Sequence, residues 1–237
     1  MNNNEIDNLL AAARTTGETD PGPDPGTLNR IAQSVQASLK PVRPLAPTWV
    51  LACVLLLIAS AVAIAGAARV GFFGIEQMAP WQRLLIFPAL GILTVIAAAE
   101  FVRSMIPGTL RRVSSAMLLI IAIAALLVVF ALSFRDYQTT NFVSIGLACL
   151  FRGTLHAVPA GILSWLLLRR GFAVKPVSAG LAAGALAGLA GLGVLELNCP
   201  NFEAAHVLVW HTAVVLVSAV MGAAAAWVTH RLFSTSR

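Results

Sequence analysis

The side chains with chemical potential gather in the last two-fifths of the chain. They are the thiols of Cys149 and Cys199, the imidazoles of His206 and His211, and the carboxylates of Glu196 and Glu203. Glu196, Cys199, Glu203 and His206 follow one another closely, and thiolate with imidazole is a donor set that suits zinc or copper. Two features of spacing argue against a metal. There is no compact pair-and-pair ligand motif of the zinc type. His206 and His211 are five residues apart, about 140° around an α-helix, and should not share a face. Cys199, His206 and His211 are therefore kept only as the ligands of a competing site, and neither a metal nor a cofactor is expected. The other chemistry open to thiols is a disulfide. Cys199 lies in Asn198-Cys199-Pro200-Asn201, and Cys149 falls at a similar depth once the spans below are assigned. Outside a bacterial cytoplasm thiols oxidise readily, so a Cys149–Cys199 bridge is expected, with two unpaired thiols as the alternative. Cys53 reads as a small packing residue. Arg152, His156, Glu196, His206 and His211 could instead line a quinone, haem or substrate site of a membrane enzyme or transporter. The chain holds no paired acid–base motif, phosphate loop or nucleophile signature, so a non-enzyme is expected and the enzyme or transporter is the alternative.

The elements that must position these groups follow from composition. The 237 residues are 58% hydrophobic and 11% charged, where a soluble domain carries roughly 25% charged residues. Apolar runs recur at about 20 residues, the length at which an α-helix crosses a hydrocarbon core. The expected fold is all-α: a polytopic membrane bundle of six helices near 48–68, 84–102, 113–133, 150–168, 176–197 and 205–229. These make up a membrane domain, 47–237, behind a polar, Pro-punctuated arm, 1–46. No cleavable signal is expected ahead of the arm, which leaves the first run as an uncleaved anchor.

Orientation follows from the cations. Arg14, Arg30, Lys40, Arg43, Arg103, Arg111, Arg112, Arg169, Arg170, Lys175, Arg231 and Arg237 fall on one side, and Arg69, Arg83 and Arg135 on the other. The positive-inside rule puts both termini in the cytoplasm and the Cys199 loop outside. The net charge of +6 thus belongs to loops, and nucleic acid is not an expected partner. Arg152 is the exception. If the fourth run entered at Phe142, Arg152 would sit about 15 Å deep, where a cation costs at least about 2.5 kcal/mol. Either 141–151 lies at the outer interface or tilts, with the cation reaching outward, or Arg152 pairs with Glu196 or Glu100.

The fifth run carries Gly180, Gly184 and Gly188 at four-residue intervals, with Ala between them. Such ridges let backbones approach in lipid. The Ala223 to Ala226 run could supply the matching face within the chain, and a homodimer seam is the alternative. In the arm, Glu5 to Arg14 reads as one amphipathic helix. After the linker Thr19 to Gly26, a second helix capped by Thr27 sets Leu28, Ile31, Val35 and Leu39 in a stripe. Helices this short cannot form a core, so the stripes want each other, the bilayer surface or a protein groove.

Several tracts resemble one family. Leu166-Leu-Leu-Arg-Arg170, the Gly/Ala tract Ala179 to Leu189, Leu197-Asn-Cys-Pro200 and Val209-Trp-His211 are similar to the C-terminal half of the NrsF-type negative regulators of sigma factor F. Cys149 falls where that family carries a membrane-proximal cysteine, and Glu5 to Ala11 and Pro41 to Leu45 resemble its opening and pre-membrane segments. The resemblance implies a bacterial inner-membrane anti-sigma factor whose arm holds an extracytoplasmic-function sigma factor. It also implies that Cys149 and Cys199 are a sensing pair for oxidants or thiophilic metals in a stress response. The arm has neither His nor Cys, unlike zinc-binding anti-sigma domains. On stripe geometry, Leu28, Ile31, Val35 and Leu39 are the expected sigma contacts.

Overall fold

A computed structural model describes residues 8, 11, 24–38, 46–106, 113–139, 141–168 and 175–234. The chain divides into two compact units, 1–44 and 45–237. In the first, helix α1 (Pro25–Ser38) starts earlier than the Thr27 cap predicts. Proline at the first helical position lacks only an N–H that would be orphaned anyway, and the Asp24 carbonyl accepts from Thr27 and Leu28 N–H. Leu28, Ile31 and Val35 are exposed along it. Leu39, most of the expected Glu5 to Arg14 helix, and the loop cations Arg14, Lys40, Arg43, Arg111, Arg112, Arg169, Arg170 and Arg237 lie outside the described residues.

The second unit is all-α and polytopic. It contains α2 (Thr48–Val70), α3 (Phe73–Gln77), α4 (Pro80–Ser104), α5 (Ser115–Ser133), α6 (Phe142–Leu168), α7 (Pro176–Asn198) and a last span. That span is built from α8 (Ala204–His206), a π-helical turn (Val207–His211) and α9 (Thr212–Ser234). Among the described residues six helices are long and apolar enough to cross a membrane. Helix α4 begins before the first apolar residue of its run, because Pro80 is preset for a first turn and Gln82 Oε1 accepts from Ala79 N–H at 2.8 Å. At the head of α5 the Ser114 hydroxyl accepts from Met117 N–H, an ordinary N-cap.

Helix α7 is the hub. In its most apolar window 72% of the residues are buried inside the protein, against 17–39% in the other spans, and it packs on α2, α4, α6 and α9. Small side chains make this geometry available. A Cβ at Gly188 would come 2.7 Å from Val215 Cα, and one at Gly180 or Gly184 would strike the Gly222 or Ser218 carbonyl of α9. Gly191 faces the Gly153 carbonyl of α6 in the same way, and Gly193 faces Ala63 of α2. Lipid offers no hydrophobic drive between helices, so backbone proximity of this kind is what holds them.

The helix of the fourth span starts earlier than the expected 150–168. Helix α6 is continuous from Phe142, with no break near Gly153. Asn141, at φ 54°, makes the turn that starts it. Arg152 is exposed on its side. The acids weighed as its partners are engaged elsewhere: Glu196 holds His211 and Glu100 accepts from the Ser115 hydroxyl.

Candidate functional site

The loops at one end of the bundle are tied together by backbone groups. Gln82 donates to the Ser133 carbonyl at 2.8 Å, Asn198 donates to the Gly71 carbonyl at 3.0 Å, and Asp136 pairs with Glu203 in an isolated β-bridge. Gly74 lies so close that a Cβ there would sit 2.8 Å from the Glu196 and Cys199 carbonyl oxygens. This end therefore presents the last turn of α7 and the residues after it as a braced platform.

On that platform the sequence's reactive residues meet. Cys149 from α6, Cys199 from the end of α7, and His206 and His211 from the last span are all buried, and a donor atom from each lies within 4.8 Å of the others. The Cys149 and Cys199 sulfurs are 3.6 Å apart, and both cysteines are free thiols in this structure. His206 Nε2 is 3.8 Å from Cys199 Sγ, and the two imidazole rings meet edge to face at 5.2 Å between centroids. Leu195 and Val214 pack around the sulfurs. The Cys199 thiol is pushed above its ordinary range, first by its contact with Cys149 and then by burial, which together outweigh the two imidazoles.

The π turn explains why His206 and His211 share a face. Five-residue spacing puts them on different sides of an α-helix, but Val207–His211 is wound as a π-helix, which closes on i and i+5. The argument from α-helical spacing fails here because the local winding changes. Such turns recur at functional sites.

Glu196, near the end of α7, supplies the partner that sequence reasoning missed. Its carboxylate accepts from His211 Nδ1 at 2.7 Å, with the two side chains 1% and 2% exposed. Nδ1 is committed to that hydrogen bond, and His211 Nε2, on the other side of the ring, is buried with no hydrogen-bond partner. The signal was present in the sequence: a short turn joins the fifth and sixth runs, which brings the last residues of one beside the first turns of the other. Glu203, placed with the same group by sequence, does not join the four donors. His156 sits on α6 with Nδ1 donating to the Arg152 carbonyl at 2.8 Å. Cys53, expected to pack, is exposed on α2.

A cleft of about 530 Å³ opens onto both sulfurs, walled by Ser144, Arg152, Asn198, Pro200 and Asn201. Arg152 stands one helical turn from Cys149 along α6. Two thiols in contact, two imidazoles and an approach path can form a disulfide, bind a thiophilic cation, or exchange one for the other.

A polytopic helical protein with a buried thiol pair at one end of its bundle is the class this architecture defines. Residues 36–232 match NrsF, negative regulator of sigma F, and the chain belongs to that family. The match begins inside α1, so Leu28, Ile31 and Val35 precede it. No curated protein and no solved structure matches the chain.

Proposed function

We propose that this negative regulator of sigma F is an anti-sigma factor of the bacterial inner membrane. In this reading α1 holds an extracytoplasmic-function sigma factor, and Cys149 with Cys199 senses stress. The observation that carries the reading is the thiol pair, 3.6 Å apart beneath an open cleft, in a family of sigma regulators. An oxidant such as a peroxide would take the two thiol hydrogens, becoming two waters as the sulfurs join. Both termini face the cytoplasm, supported by the excess of cations in the loops on their side. The thiol end faces out, where oxidation is permitted. The exposed stripe of Leu28, Ile31 and Val35 fits a helix-in-groove contact, and Leu39 is the fourth sigma contact proposed from the sequence pattern. The domain division is an arm, 1–46, that binds, and a membrane portion, 47–237, that senses.

The test uses the full-length chain in detergent with sigma F of the same bacterium. Wild type should retain the sigma factor, and Ile31→Asp with Val35→Asp should weaken binding at least about thirty-fold, as expected for two interface anchors. Peroxide should release the sigma factor from wild type but not from Cys149→Ser. Retention by the double variant would remove the arm from the mechanism, and release from Cys149→Ser would remove the thiol pair.

A further inference from the structure

The geometry points to a resident metal: we infer that Cys149, Cys199, His206 and His211 form a tetrahedral site for one Zn²⁺, with Glu196 orienting His211. The inference deepens the sensor reading of the same thiols and rests on that reading only for its regulatory consequence.

Four observations converge. A tetrahedral zinc with sulfur at about 2.3 Å and nitrogen at about 2.0 Å has ligand-to-ligand edges of about 3.3–3.8 Å. The sulfurs stand 3.6 Å apart and Cys199 Sγ stands 3.8 Å from His206 Nε2, while all four donors fall within 4.8 Å. The cage is therefore close to its closed size with no ion in it. Second, His211 Nε2 is a buried nitrogen with no hydrogen-bond partner. Buried polar atoms are rarely left so, and with Nδ1 engaged by Glu196 at 2.7 Å this is the ring nitrogen open to a metal. A carboxylate behind the imidazole is the arrangement that fixes the ring and raises its basicity as a metal ligand. Third, mixed sulfur and imidazole donors in a tetrahedron select zinc among common cations. Two thiolates cancel the charge of the ion itself, which lowers the cost of holding it among Leu195 and Val214. Fourth, the cleft lined by Cys149 and Cys199 gives the ion a way in, which a real site needs.

Binding replaces the two thiol protons, and any proton on the ligating imidazole nitrogens, with two Zn–S and two Zn–N bonds, the protons leaving to solvent. The ion would clamp α6, the end of α7 and the last span together, and it would hold the sulfurs as thiolates. A disulfide could then form only as zinc departs, so occupancy and oxidation compete for the same two atoms.

The experiment uses the full-length protein, stripped with a chelator in detergent under anaerobic conditions and titrated with Co²⁺ and then Zn²⁺. One metal per chain is expected. Cobalt should give thiolate charge-transfer absorption and the ligand-field bands of a tetrahedron, and zinc should bleach both. Cys199→Ser and His206→Ala should each weaken zinc at least about a hundredfold and alter the cobalt bands. Glu196→Gln should weaken zinc about ten- to a hundredfold while keeping their tetrahedral shape. Cys53→Ser should change nothing. Should His211→Ala fail to fold, His206→Ala and Glu196→Gln still decide the matter. Absence of cobalt–thiolate absorption in wild type, unchanged bands in His206→Ala, or retention of Cu⁺ in place of zinc would each overturn the assignment. A chain that binds no zinc yet releases its sigma factor through Cys149 and Cys199 would defeat this inference alone. A chain that binds zinc while its Cys149→Ser variant still releases the sigma factor on peroxide would defeat the sensor reading alone.

Discussion

The two ends of α7 are built on opposite principles. From Gly180 to Gly188 the helix meets α9 through absent side chains, and nothing polar is asked of either surface. Over its last turn, Glu196, Asn198 and Cys199 each engage a specific group: His211, the Gly71 carbonyl and Cys149. The first region tolerates no added atom but is indifferent to chemistry. The second depends on which atoms are present. A helix that is rigidly seated along one stretch can hold a reactive group in register at its end, and this division lets α7 do both.

The sharpest way to break the comparison is on the smooth stretch. Gly184→Val would drive a branched side chain into the Ser218 backbone. Overpacking costs about 1–3 kcal/mol where neighbours can yield, and a backbone carbonyl yields less than a side chain. The folded fraction in detergent, followed by helical circular dichroism on heating, should collapse. Next comes the polar end. His211→Ala leaves the Glu196 carboxylate buried without its donor, a loss of about 3 kcal/mol, so the variant should unfold at markedly lower denaturant. Glu196→Gln keeps an acceptor for His211 Nδ1 and should lose about 1 kcal/mol in the same titration. Cys149→Ser, a near-isosteric change at a site 7% exposed, should shift stability by less than about 1.5 kcal/mol while abolishing the response to peroxide. A lost response with little change in stability is the signature of the thiol pair alone. The smallest effect belongs to Gly91, beside which a Cβ would meet nothing within 4 Å. Gly91→Ala should leave the midpoint unchanged or raise it slightly, which shows that glycine is required only where helices touch.

How much of this was legible in the sequence divides along the same line. Length and hydropathy suffice for the spans, because a bilayer imposes one dimension on every crossing. The Gly180, Gly184, Gly188 ridge is likewise written in a fixed period. The meeting of Cys149 with Cys199 follows from depth, since residues at equal depth on adjacent spans are neighbours. The histidines were not legible. Their placement depends on a π turn, and no residue type among Val207, Leu208, Val209 and Trp210 marks where an α-helix will take up an extra residue. The Glu196–His211 bond was missed for a related reason: once His211 was assigned to another face, its closest acid had no partner to be matched with. Arg152 shows a different limit. Pairing and exposure were both consistent with its position, and the choice turned on Glu196 being already engaged by an imidazole.

The π turn at Val207–His211 also stores slack. The last span holds one residue more than an α-helix would need to connect the same two points. Drawing that residue back into α winding would advance the register by about 100° and swing His206 around the axis, away from His211, without breaking the span. A coil let out by one residue at this turn is thus what brings the two imidazoles edge to face.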